Sequence, residues 1–323
     1  MNMKRLSALS VLLTATVAFA ADQPIIGLIT KTETNPFFVK MKEGAQKAAK
    51  AKGAKLLTGA GKADGDNAGQ VTALENMIAA GAKTILITPN NAQAIVPALE
   101  KARKQGVMVI ALDSPTDPES AVDALFATDN YKAGMLIGQY AKAAFGNKPV
   151  KIATLDLFPG HPVGIDRHNG FLNGYGIKND KDARVVCMQD SYGDQAKGQT
   201  AMENCLQKDP EINLVYTINE PAAAGAYQAL KAIGREKEVM IVSIDGGCTG
   251  VKNVQAGVIA ATSQQYPLKM ASLGVEAGVN YILTGKKTTG YTDTGVTLIT
   301  DKRMKGVPSK DTKFGLNNCW GVK

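Results

Sequence analysis

Two aspartates, an arginine and several amides recur in this sequence at one kind of place, directly after or just beyond a short apolar run of β character. Asp113 follows Ile110-Ala111-Leu112, Asp245 follows Val239 to Ile244, and Asn219-Glu220 follows Leu214 to Ile218. Gln264-Gln265 follows Ile259 to Ser263, and Pro89-Asn90-Asn91 follows Thr84 to Thr88. Asp156 closes another run, with Arg167 early in the helical segment beyond it, and Lys31 to Phe38, including Asn35 and Phe37, follows Ile25 to Thr30. Carboxylates, amides and a guanidinium exchange paired hydrogen bonds with adjacent hydroxyls, and Phe37 and Phe38 offer flat apolar faces to the C–H side of a sugar ring. This is the chemistry of a polyol site. Singly, each Asp or Asn reads at least as well as a helix cap or turn former. The same element position recurring in both halves argues for the group.

Catalytic alternatives fare worse. The chain has two histidines: His161 lies between Gly160 and Pro162, where a lip contact to ligand is the better expectation, and His168 adjoins Arg167. No GxSxG, HExxH or EF-hand spacing occurs, and no metal or cofactor is expected. Gly59-Ala60-Gly61-Lys62-Ala63 imitates a phosphate loop but has Leu56 and Ala63 where that loop needs Gly and Ser or Thr. Without GxGxxG at the first helix, dinucleotide binding lacks its close backbone approach. Asp113 and Asp245 facing across a cleft would also suit a secreted carbohydrate-active enzyme. An arginine between them suits recognition of a neutral ligand better.

The elements that must hold these residues alternate. Ten strand-like runs, from Ile25–Thr30 to Ile259–Ser263, are separated for the most part by helical patterns such as Phe37–Lys52, Lys132–Phe145, Gly164–Gly176 and Leu268–Leu283. Repeated βα units dictate mostly parallel sheets with helices on both faces, and runs such as Thr84-Ile85-Leu86-Ile87-Thr88 suit strands buried on both sides. About ten strands exceed one comfortable open sheet. An α/β protein of two doubly wound lobes is predicted, with the first break near Asp129-Asn130. In such sheets ligands bind outside the carboxyl ends of the strands, where the polar residues above fall.

The 323 residues are 45% apolar, 20% charged and 6% aromatic, a globular composition. Lys4 and Arg5, the apolar Leu6–Phe19 and Ala18-Phe19-Ala20 read as an export signal over residues 1–20, hence a periplasmic location. The net charge of +8 is spread over helical lysines such as Lys40, Lys47 and Lys50. With no helix-turn-helix or zinc spacing, a solvated basic face is expected and no nucleic-acid partner. Four cysteines in an oxidising compartment allow three pairings. Cys187 with Cys205 and Cys248 with Cys319 is preferred, the first joining a strand to the helix after it; buried thiols are the alternative.

Thr34-Asn35-Pro36-Phe37-Phe38, Ala111-Leu112-Asp113, Asp166-Arg167-His168-Asn169-Gly170-Phe171, Ile218-Asn219-Glu220 and Ile244-Asp245-Gly246, in this order, resemble the ribose-type periplasmic sugar-binding proteins of ABC importers. Ile26 to Lys31 and Asp190 to Lys197 resemble the fructose-binding branch. The resemblance implies a type I periplasmic binding fold with a three-strand hinge crossing near Asp129, Gln265 and Asp293. Residues 21–128 with 266–293 would form an N-terminal lobe, and 129–265 with 294–323 a C-terminal lobe. It also implies stacking by Phe37 and Phe38 and hydroxyl contacts from Asn35, Asp113, Arg167, Asn219, Asp245 and Gln265, with Asn90 a further candidate. Ribose binders follow the aspartate with arginine; here Ser114 follows Asp113, and Lys31 is the candidate to compensate. The expectation is a monomeric, non-catalytic clamp for a monosaccharide, fructose first and ribose or mannose as alternatives, that delivers to an ABC permease. A polyol or signalling furanose presented to a chemoreceptor is the alternative. The tail from Thr300 is longer than in ribose binders, with Cys319 placed to pin it.

Overall fold

A computed structural model describes residues 23–321; the export signal expected over residues 1–20 lies outside them. In chain order the elements are β1 (Ile25–Thr30), α1 (Pro36–Ala51), β2 (Lys55–Ala60), α2 (Asn67–Ala79), β3 (Thr84–Ile87), α3 (Val96–Lys104), β4 (Met108–Leu112), β5 (Ala124–Ala127) and α4 (Asn130–Phe145). Then come β6 (Ile152–Asp156), α5 (Pro162–Tyr175), β7 (Val185–Asp190), α6 (Gln195–Lys208), β8 (Leu214–Thr217), α7 (Glu220–Ala232), β9 (Met240–Asp245) and α8 (Cys248–Gln255). The chain ends with β10 (Ala261–Gln264), α9 (Pro267–Thr284), β11 (Gly290–Asp293), β12 (Thr297–Ile299) and α10 (Thr312–Asn318).

The strands form two six-stranded sheets with matching wiring, β2-β1-β3-β4-β5-β11 and β7-β6-β8-β9-β10-β12. Every pairing is parallel except β10 with β12. In each sheet the order reverses beside the first strand, at β1/β3 and β6/β8, which is the switch point where open α/β sheets bind ligands. The chain passes between the sheets three times, after β5, β10 and β11. This is the two-lobed, doubly wound α/β architecture that the alternation of runs predicts.

Both cores are layered as buried strands require. Ile26, Leu28, Leu86, Ile110 and Leu112 pack under α1 and α9, whereas Ile85, Ile87 and Val109 pack on the other face with Leu74 and Leu99. Four elements escape the sequence reading. β11 is a four-residue edge strand with every residue exposed, and β12 has three residues, so neither carries an apolar pattern. α8 and α10 are short, and glycine interrupts both. α3 starts only at Val96, because the Asn91 Oδ1 accepts the N–H groups of Gln93 and Ala94 and turns the chain first.

The helix pair α4–α5 shows why a glycine-rich helix is kept. A methyl added at Gly134 would overlap the Arg167 carbonyl, and one at Gly170 the Tyr131 carbonyl. The two helices therefore meet backbone to backbone, which fixes the height at which Arg167 leaves α5. The cysteines pair as Cys187–Cys205 and Cys248–Cys319. The second bridge ties the tail to the start of α8.

Candidate functional site

Residues leaving the carboxyl ends of strands in both sheets converge on one cleft, whose empty space is about 450 Å3 with open solvent included. From the first sheet come Lys31, Asn35, Phe37 and Phe38 after β1, Asp64 after β2 and Asp113 after β4. From the second come Leu157 and Arg167 beyond β6, Tyr192 after β7, Asn219 after β8, Asp245 at the end of β9 and Gln265 after β10. Nine of the ten residues singled out in the sequence are thus together.

Asn90 is not. Its side chain is fully buried beneath the cavity, where Nδ2 donates to the carbonyls of Lys31, Ala63 and Asp66 and Oδ1 accepts from Gly65. It holds the loop that carries Asp64, which with Leu157 and Tyr192 lines the cavity without having been singled out in the sequence. The signal is weaker than for Asp113, which directly follows β4, because Asp64 stands four residues beyond the end of β2.

On the C-terminal side the polar groups bind one another. The Arg167 Nε donates to Asn130 Oδ1 at 2.8 Å and Nη1 to the Ile218 carbonyl at 3.0 Å, with Asp245 Oδ1 at 4.0 Å. The Gln265 Nε2 donates to Asp245 Oδ1 at 2.8 Å. Burial raises Asp245 to about 6, opposed by the Arg167 charge and the Gln265 hydrogen bond. Gly246, next in the chain, has φ +66 with no room for a Cβ against Gln264. Its N–H and that of Gly247 both donate to Glu220, whose carboxyl sits at the start of α8. Asn219 caps α7 through its Oδ1 and donates from Nδ2 to the Gly193 carbonyl. Capping and lining are here one job.

The N-terminal side is built differently. Phe37 and Phe38 meet edge to face at 5.4 Å, and Asn35 caps their helix. The Asp113 Oδ2 accepts the Ser114 hydroxyl, which is itself buried. Lys31 is 4% exposed, and its Nζ finds His161 Nε2 across the cleft at 2.9 Å. Burial lowers the Lys31 pKa, opposed by the charges of Asp64 and Asp113. Burial, with Lys31 and Arg167, lowers His161 to about 2, so the imidazole is neutral and its Nε2 accepts from the ammonium. His161 is therefore not a lip residue; it is 2% exposed and packs edge-on to Phe158. Asp156 also stays off the cavity, bonded to Thr154 and His168.

Three non-glycine residues have φ in the left-handed region among the described residues, Asp113 (65°), Tyr192 (55°) and Asp245 (144°). All three line the cavity. Such conformations cost of order 1–3 kcal/mol each and persist where surrounding structure over-determines them. Two cations, three carboxyl groups, amides and aromatic faces make a lining that is nearly charge-balanced. It suits a neutral molecule bearing many hydroxyls.

Matching lobes that enclose such a cavity define a bilobal solute receptor. The chain matches the family profile described as periplasmic binding protein domain over residues 26–287. It is 34% identical over 262 residues to the ribose import binding protein of Bacillus subtilis, covering 81% of this chain and 82% of that protein. It is 28% identical over 281 residues to the D-allose-binding periplasmic protein of Escherichia coli, covering 85% and 89%. A periplasmic solute binding protein of an ABC transporter from Actinobacillus succinogenes, solved with bound D-allose, superposes with a TM-score of 0.79 at 27% identity, over 87% of this chain and 98% of that one. The chain belongs to the ribose/allose family of periplasmic sugar-binding proteins of ABC importers. It is a periplasmic, non-catalytic component that takes a monosaccharide for a membrane importer. These likenesses do not single out a fructose-binding branch.

Proposed function

We propose that the cavity takes one monosaccharide ring, with D-fructose the first sugar to test and D-ribose and D-allose, named for relatives, beside it. The observation that carries this reading is the convergence of both walls on one nearly charge-balanced cavity. The preference for fructose over ribose rests on Asp113-Ser114. Ser114, buried beside Asp113, stands where the resemblance to ribose binders implies arginine, so no guanidinium follows Asp113, and Lys31 supplies the cation on this wall of the cavity. Lys31, Asn35, Asp113, Arg167, Asn219, Asp245 and Gln265 are assigned to hydroxyls, and Phe37 and Phe38 to the ring face. The moving units are assigned as residues 21–128 with 266–293 against 129–265 with 294–323. Closing expels water, so each hydrogen bond strengthens in a cleft of lower dielectric, and the sugar shifts the equilibrium only as far as it prefers the closed form.

A thermal-shift panel of pentoses, aldohexoses, ketoses and polyols on the mature protein tests this. A ligand that binds only the folded state at a hundred times its Kd adds about 2.7 kcal/mol to stability, and the Tm rises accordingly. Fructose giving the largest shift supports the proposal; ribose or allose exceeding it removes the fructose assignment. No shift with any sugar removes the site reading.

A further inference from the structure

Behind the cavity wall lies a side chain that touches both lobes. Trp320 is the one tryptophan of the chain and stands three residues from its end, yet it is only 5% exposed. Its ring meets Phe37 edge to face, with centroids 5.3 Å apart and planes at 84°. Its Nε1–H donates to the Gln265 carbonyl at 3.0 Å, and its own carbonyl accepts from the Cys248 N–H at 2.8 Å. The preceding residue, Cys319, is bridged to Cys248. The tail thus follows the second sheet through β12, but its last large side chain belongs to the apolar core of the first. Phe37 and Gln265 both line the cavity.

We propose that Trp320, anchored by the Cys248–Cys319 bridge, is a positioning residue for the sugar: it fixes the Phe37 ring and holds the two lobes in ligand-gripping register. The proposal rests on the reading above that the cavity takes a monosaccharide. Phe38 and Trp320 meet the Phe37 ring edge to face, at 5.4 and 5.3 Å, so it reaches the cavity with little rotational freedom. Preorganising an aromatic wall before the ligand arrives removes an ordering cost that binding would otherwise carry. The bridge one residue away supplies a restraint, because a cross-link limits the loose states of the tail. Both contacts run between elements of different lobes or to the crossing segment at Gln265, so they depend on the lobe angle.

The single tryptophan also makes the test direct. Indole emission and acrylamide quenching are followed while D-fructose, D-ribose and D-allose are titrated, with calorimetry alongside. For whichever sugar binds the parent, saturation is expected to lower quenching of Trp320, and unchanged quenching would overturn the proposal. Trp320→Ala is expected to raise Kd about tenfold through faster dissociation, with the ligand-free protein still melting cooperatively. Trp320→Phe keeps the edge contact and loses the N–H, so it should recover to within about threefold of the parent. The double variant Cys248→Ser with Cys319→Ser leaves every cavity residue in place and should weaken binding in the same direction by threefold or more. Parent-like Kd and dissociation rate in both Trp320→Ala and the double variant overturn the proposal; should Trp320→Ala not fold, the double variant decides. A parent that binds none of the three sugars by calorimetry overturns the site reading first and this proposal with it.

Discussion

The two walls of the cavity come from equivalent places in equivalent sheets, yet they are wired in opposite ways. On the C-terminal wall Arg167, Asp245, Asn219 and Gln265 each bond within their own lobe or to the crossing segment. On the N-terminal wall the aromatic pair is apolar, Asp113 is bonded only by the neighbouring serine, and Lys31 finds its partner on the other lobe. A prebuilt polar wall holds its geometry whether the cleft is open or shut. A wall whose cation finds its hydrogen-bond partner across the gap completes that bond only on closure. This division suits a receptor whose C-terminal lobe orients the sugar and whose N-terminal lobe registers that it is there.

The strongest way to break this comparison is to disturb the scaffold of the C-terminal wall. Gly134→Val forces a side chain into the Arg167 carbonyl and should destabilise the protein by about 3 kcal/mol or more, lowering its Tm and removing sugar binding. A variant melting within about 2 °C of the parent would show that α4 and α5 can separate without cost. Next in size, Arg167→Ala leaves Asp245 buried beside no cation, and calorimetry should show a loss of about 3 kcal/mol in sugar affinity, more than a hundredfold. Binding within threefold of the parent would mean that the guanidinium is scaffold alone.

Much of this was legible in the sequence, for identifiable reasons. Strands buried on both faces, such as Thr84 to Ile87, announce themselves as continuous apolar runs, and the loop after each strand is then a short, enumerable list. Asn35, Asn219 and Asp245 fell on that list. For Asn35 and Asn219 the cap and the cavity position coincide, since each caps its helix while lining the cavity. Asn90 and Asp64 were not separable, because position after a strand says which end of the sheet a residue occupies and not which of two neighbouring loops lies on top. Trp320 had no local signal: its role depends on a disulfide and on packing against a helix 283 positions earlier in the chain. Short edge strands such as β11 were invisible for a related reason, having no buried face to pattern.

A smaller effect concerns His168, which braces the same wall. Its Nδ1 contacts Asp156 at 2.8 Å and its Nε2 contacts Asp180 at 2.7 Å. Burial alone would lower its pKa, but the hydrogen bonds and charges of the two carboxylates outweigh it and raise the group to about 9. A histidine raised on folding contributes stability that is fully present below about pH 6.5 and is lost as pH rises through about 9. With Asp180 half exposed, screening reduces the effect to about 2 kcal/mol. Denaturant titrations from pH 6 to 10 should show this loss in the parent and not in His168→Asn. A parent whose stability is flat across that range would remove His168 from the scaffold.

The finest distinction between the walls lies in Lys31. Because its ammonium is satisfied across the cleft by a neutral His161, Lys31→Met should leave each lobe intact and weaken only the shut state. Removing a buried charge can itself be neutral or favourable to folding, so the ligand-free Tm should hold or rise. Sugar affinity should fall about tenfold, roughly 1.4 kcal/mol, with the change in the dissociation rate and little in the association rate. His161→Phe removes the acceptor while leaving Lys31 at the cavity, so it separates the latch from any direct contact between the ammonium and a hydroxyl. If both variants speed dissociation alike, the cross-cleft bond carries the effect. If only Lys31→Met does, the ammonium acts on the sugar itself, and the N-terminal wall is less dependent on closure than its wiring indicates.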